Sequence, residues 1–107
     1  MAKHIIPRYK LMLFYDPLPM QIELYYQFVM NEMVPTVQDM GLYMFRVFHT
    51  IWGQDQPVRQ AEFVAEDLET IQAMLESDRW KALEMQLEQY CTNYHRKVVP
   101  FKPGFQL

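Results

Sequence analysis

Apolar and polar positions change their period along this chain, and each change marks an element. Lys10 to Asp16 (Lys-Leu-Met-Leu-Phe-Tyr-Asp) is a short apolar run closed by Pro17-Leu18-Pro19. Its length and flanking prolines predict a first strand, and its unbroken apolarity predicts cover on both faces. From Pro17 to Met40 the period becomes helical, with Ile22, Tyr26, Val29, Met33, Val37 and Met40 recurring at steps of three and four. That stripe is the expected core side, with Asp16 as N-cap and Gly41 as C-terminal stop. Pro35 removes one backbone bond, which predicts a kink or short break near Asn31 to Val34. Leu24 and Phe28 fall about 150–170° from the stripe at 100° per residue. They are expected on the outer side, as ordinary exposed hydrophobes or as a contact beyond this chain.

Leu42 to Trp52 is rich in aromatic and β-branched residues and is ended by Gly53-Gln54-Asp55-Gln56-Pro57. Arg59 to Glu66 then alternates, with Ala61, Phe63 and Ala65 on one side and Gln60, Glu62, Val64 and Glu66 on the other. The two runs predict a β-hairpin whose first strand is apolar on both faces. Asp67 to Thr92 is helical, but Leu68, Ile71 and Leu75 point roughly 120° away from Trp80, Leu83, Leu87 and Tyr90 on a single wheel. One straight helix cannot bury both sets, so two pieces are expected to meet at Ser77-Asp78, capped by Asp67 and by Ser77. Tyr94 to Phe101 predicts a fourth strand, with Pro100 either making it an edge strand or marking its end.

The order β-α-β-β-α-β is the split βαβ arrangement, an α+β, ferredoxin-like fold: a four-stranded antiparallel sheet with both helical layers on one face. It predicts a single domain over residues 1–107. The second sheet face, carrying members of Leu11 to Tyr15, Phe48 and Trp52, would be a large exposed apolar patch unless another surface covers it. Two such faces packed about a two-fold axis remove it from water, so homodimerisation is expected. Composition agrees: half of the 107 residues are hydrophobic, and small domains leave much of their surface in water.

Ten basic and thirteen acidic residues give a formal charge of −3. The basic residues are scattered, which argues against nucleic acid as a partner. No apolar stretch approaches the roughly 20 residues needed to span a bilayer, and the first residues lack a signal-peptide core, so a cytoplasmic protein with no membrane partner is expected. The lone Cys91, in the second helical region, reads as a small buried hydrophobe. His4, His49 and His95 are too dispersed for a metal site, and no phosphate loop or nucleophile elbow occurs. No metal and no cofactor are expected.

The candidate polar groups are Arg46 and His49 on the second strand and Glu62 on the third. Arg46 and His49 are three positions apart and face opposite ways unless a bulge intervenes. Arg46 with Glu62 reads as an interfacial ion pair that fixes dimer register; a lone buried Arg46 would instead point to an anionic ligand. His49 is a hydrogen-bonded strand histidine, a general base or a haem ligand, because an unperturbed imidazole, with a pKa near 6.5, can transfer protons around neutrality. Trp52 is a packing group or a ligand-stacking one. The candidate catalytic residues are thus His49 and Glu62, and the candidate ligand contacts Arg46 and Trp52.

Several segments, in their order along the chain, resemble the dimeric α/β barrel superfamily, most closely its NIPSNAP-like branch. They are Asn31-Glu32-Met33-Val34-Pro35 with Gly41, Ile51-Trp52-Gly53, Glu66-Asp67-Leu68, and Ser77-Asp78-Arg79-Trp80-Lys81-Ala82-Leu83. The resemblance implies two ferredoxin-like protomers joining their sheets into one barrel. Departures limit what it carries. The first strand lacks the Arg and Tyr that NIPSNAP sequences tend to carry early in it, and Asn31-Glu32 stands where EthD-like proteins often place a histidine. The strand-1 asparagine of haem-degrading relatives is missing, and no catalytic set of the cofactor-free monooxygenases or lactone isomerases can be matched. The resemblance therefore implies a homodimeric binder of a small apolar or aromatic molecule, extending to a cofactor-independent enzyme on an aromatic or polyketide-like compound. The alternative is a non-enzymatic homodimeric structural or assembly protein.

Overall fold

A computed structural model of the chain describes residues 5–49 and 59–102. Four strands, β1 (Tyr9–Pro17), β2 (Tyr43–His49), β3 (Arg59–Ala65) and β4 (Cys91–Pro100), form one antiparallel sheet in the order β2-β3-β1-β4. Four helices fill the connections: α1 (Ile22–Phe28) and α2 (Val34–Asp39) after β1, then α3 (Leu68–Glu76) and α4 (Asp78–Leu87) after β3. The expected α+β, ferredoxin-like βαββαβ order is the observed one. The central pair is β1 and β3, and β4 lies at an edge, where Pro100 costs no ladder bond to a further strand. The part of the expected second strand beyond His49, with Trp52, lies outside the described residues.

Strand alternation sends Leu11, Leu13 and Tyr15 of β1 and Ala61, Phe63 and Ala65 of β3 to the helix side, where all six are buried. Tyr25, Phe28, Val29, Met33 and Val37 meet them from the first helical layer, and Ile71, Met74, Trp80, Leu83 and Leu87 from the second. The break at Ser77 is as expected. The Asp67 carboxylate accepts from the Thr70 backbone N–H at 2.8 Å to start α3, and the Ser77 hydroxyl accepts from the Trp80 N–H at 3.1 Å to start α4. Gly41 stops the first layer with φ +96°, and a Cβ there would stand 2.9 Å from Thr70 Cγ2.

The first helical layer departs from the expected wheel. A π-helical turn, Val29–Met33, separates α1 from α2, slightly ahead of the break expected from Pro35, which itself sits in the first turn of α2. A π turn inserts an extra residue per turn and shifts the phase of everything before it. Phe28 is therefore buried and Tyr26 is exposed, the reverse of their expected sides, while Leu24 is exposed as expected. Asp16 is not the N-cap: β1 runs through it, a 3₁₀ turn at Pro19–Gln21 precedes α1 without a side-chain cap, and the Asp16 carboxylate accepts from the Asn93 amide at 2.7 Å. The helix ends early enough that Cys91 opens β4 instead of closing α4. It is still buried, its thiol donating to the Leu87 carbonyl at 3.3 Å.

Candidate functional site

Among the described residues, two groups of polar side chains converge, one on each face of the sheet. On the face that carries no helix, Glu62 stands opposite Met12 on β1 and Arg46 on β2. A register shift at Phe45 turns both Phe45 and Arg46 toward this face, as a bulge does when two residues oppose one. Arg46 Nε reaches Glu62 Oε1 at 2.8 Å, Lys10 Nζ reaches the same oxygen at 3.2 Å, and Gln60 Nε2 donates to Oε2 at 2.6 Å. The Glu62 and Lys10 side chains are only 1% and 5% exposed. Burial alone would raise the Glu62 pKa; hydrogen bonds from Arg46, Gln60 and Lys10 outweigh it and hold the carboxyl below its ordinary value.

Aromatic rings roof these charges. The Arg46 guanidinium lies 4.8 Å from the centre of Phe45, Phe45 packs edge-on against Phe101 at 5.2 Å, and Lys10 Nζ is 6.0 Å from Phe101. Phe14 stacks on His95 at 4.7 Å with Lys97 above the same ring. The helix-free face is therefore mixed, with Lys10 interrupting the apolarity expected of the first strand. Sequence reasoning paired Arg46 with Glu62 and missed Lys10. The signal was a lysine inside an otherwise apolar strand, two positions before the residue opposite Glu62.

The second group lies on the helix side at the end of the sheet where β3 begins. Tyr15 from β1 and Tyr25 from α1 share a hydrogen bond of 2.6 Å between their hydroxyls, and their rings meet edge-on at 5.7 Å. Both are almost wholly buried. Burial raises both phenol pKa values, Tyr15 the more strongly, and so keeps both hydroxyls protonated at neutral pH. The Arg59 guanidinium stands 5.7 Å from the Tyr25 ring centre and 5.3 Å from that of Tyr26, and donates to the Tyr26 hydroxyl at 2.9 Å. Its Nε is buried with no acceptor among the described residues. Opposite this corner the β1–β4 pairing shifts register between Phe14 and Asp16, and Asn93 takes a φ of +57°, a conformation asparagine tolerates better than most residues. Tyr94 follows, its ring 6.5 Å from Tyr15 and its hydroxyl donating to Glu84 at 2.5 Å.

The four residues singled out from sequence are thus divided. Arg46 and Glu62 are in contact. His49 ends β2 with its backbone opposite Arg59, and pairing runs without a further shift from Arg46 to His49, so the one bulge of β2 precedes both; the His49 side chain and the whole of Trp52 lie outside the described residues. Neither Tyr15, Tyr25 nor Arg59 was expected as a site. Tyrosines at apolar positions read as packing, and only the folded pairing brings their hydroxyls to an arginine 34 residues beyond Tyr25. No cluster of three or more metal-ligating side chains occurs among the described residues, and no helix described is long and apolar enough to cross a membrane. A cleft of about 360 Å³ between α2 and α3, lined by Met40, Thr70, Ala73 and Met74, carries no charged group.

No protein-family model matches the sequence, and no curated protein matches it. Solved structures do. A NIPSNAP family protein from Agrobacterium tumefaciens is similar at 16% identity and TM-score 0.61, over 96% of this chain and 93% of that one. An ethyl tert-butyl ether degradation (EthD) family protein from Bacillus halodurans is similar at 17% identity and TM-score 0.63, over 94% and 99%. A protein from Deinococcus radiodurans, described as a candidate antibiotic biosynthesis monooxygenase, is similar at 9% identity and TM-score 0.68, over 92% and 97%. At such identities the likeness is one of fold: the chain shares the ferredoxin-like α+β fold of these NIPSNAP and monooxygenase-type structures.

Proposed function

We propose that this chain is a homodimeric small-molecule-binding protein whose ligand enters the layer between sheet and helices, and that the ligand is an aromatic or polyketide-like compound. The observation that carries this reading is the convergence of Tyr15, Tyr25 and Arg59 inside an otherwise apolar layer. Binding sites combine apolar walls with a few placed polar groups, and this corner has both. The names of fold neighbours, an antibiotic biosynthesis monooxygenase among them, support a ligand of that class by analogy of fold. In the same reading two helix-free faces pack together. Arg46 and Glu62, joined by Lys10, set the register between them, and His49 and Trp52 are the residues to test for proton transfer and ligand stacking.

The test is a titration with a neutral aromatic ester, methyl 2-naphthoate, and with its acid, 2-naphthoate, followed by intrinsic fluorescence. Saturable binding of either, one molecule per protomer, is expected; no saturation by either up to millimolar concentration would contradict the reading. A second reading, a non-enzymatic assembly protein, is favoured by one observation: Met20, Leu24 and Met30 are all exposed along the first helical layer. It predicts association beyond a dimer that Leu24→Glu abolishes.

A further inference from the structure

We propose that the Tyr15–Tyr25–Arg59 corner is an oxyanion seat: it selects ligands that present a carboxylate or an acidic enol or phenol oxygen to these three side chains. This rests on the small-molecule reading above and specifies the chemistry of its ligand. The argument is one of donors and acceptors. Two hydroxyls that share one hydrogen bond use one O–H proton between them and leave the other free. Among the described residues the only hydrogen bond of the Tyr15 and Tyr25 hydroxyls is the one they share, and both side chains are at least 98% buried, at 1% and 2% exposure. One phenolic proton there therefore has no acceptor among the described residues. Beside it, Arg59 Nε is a second buried donor without an acceptor, on a guanidinium whose positive charge faces no carboxylate in any ion pair of the described residues.

A corner with two unused donors, one of them on a cationic group, is complementary to a group that accepts. Anionic oxygens fit because hydrogen bonds to them from Arg and Tyr are charge-assisted, and Arg presents its N–H groups in a fixed fork. The approach is from the Tyr26 side, where that ring is exposed and Arg59 lies across it. The Asn93 bulge and the register shift beside Tyr15 belong to the same corner, and bulges serve to re-aim side chains in sheets.

The experiment compares 2-naphthoate with methyl 2-naphthoate at pH 7.5 on the wild-type chain, Tyr25→Phe, Arg59→Gln and Arg59→Lys, each checked for fold by circular dichroism and thermal melting. The naphthoate is expected to bind at least tenfold more tightly than the ester. Arg59→Gln and Tyr25→Phe should each cut that preference to less than about twofold, and Arg59→Lys should restore part of it. Equal affinity for acid and ester, or a preference unchanged by these substitutions, would overturn the oxyanion seat while leaving small-molecule binding intact. Absence of binding by both compounds would overturn the small-molecule reading itself.

Discussion

Glu62 is a carboxylate with almost no solvent exposure on a sheet face that no helix covers, and three donors from three strands hold it ionised. Removing its charge leaves Lys10 buried beside a neutral amide. Loss of one partner from a buried pair costs about 3 kcal/mol or more, so Glu62→Gln should lower the urea midpoint by a corresponding amount at pH 7. Because the folded pKa lies below the ordinary carboxylate value of 4.5, this stabilisation is complete above that value and is lost as pH falls through the lower, folded one. Unfolding measured from pH 6 down to pH 3 should show wild type converging on Glu62→Gln; a constant gap would contradict the linkage. Cys91 makes the opposite case. Burial pushes its thiol up to about 11, helped by Glu88 and Asp16, so alkylation by iodoacetamide at pH 7.5 should be at least a hundredfold slower in the native protein than in urea. At this scale the Arg46–Glu62 contact was legible because it needs only a hairpin register. Lys10 and the Tyr15–Tyr25 pair were not, because they join residues whose neighbours in space come from separate elements.

Elements built on local chemistry were the most legible. The change of phase at Ser77 could be read from the wheel because both apolar sets are large and the capping serine stands at the junction, and α3 and α4 meet there as expected. Ser77→Ala should therefore lower stability by about 1 kcal/mol, the usual cost of a lost N-cap; chemical denaturation reads it directly. Gly41→Ala should cost about 1–2 kcal/mol, since the new side chain would hold a positive φ and press on Thr70. An unchanged midpoint in Gly41→Ala would mean that this turn relaxes freely. The first helical layer was harder. A wheel assumes one constant pitch, and the π turn at Val29–Met33 breaks that assumption, exchanging the sides of Tyr26 and Phe28. Asp16 looked like a cap because it precedes a proline-initiated helix, yet its carboxylate is engaged by Asn93 across the sheet, a contact between residues 77 apart in sequence that no local pattern encodes.

At the scale of the molecule, one layer of helices on one side of a sheet leaves the other side as the open question. The strands place Met12, Phe14, Phe45 and Val99 there, with Phe101 just past β4, around a buried ion cluster, and clustered apolar side chains rimmed by polar ones are what an interaction surface presents. A two-fold pairing of these faces is the arrangement that the proposed function requires. The surplus of apolar residues predicted association from sequence. Met12 and Phe14 of the first strand lie on that face as alternation predicts, while the charges at its centre became visible only with the register. Sedimentation equilibrium at micromolar concentration tests this most directly, on the wild type, on Phe14→Glu in the helix-free face, and on Leu24→Glu on the opposite, helical surface. The account predicts twice the 13.0 kDa protomer mass for wild type and for Leu24→Glu, and a folded monomer for Phe14→Glu. A monomeric wild type, or a dimer that survives Phe14→Glu and is lost in Leu24→Glu, would contradict it.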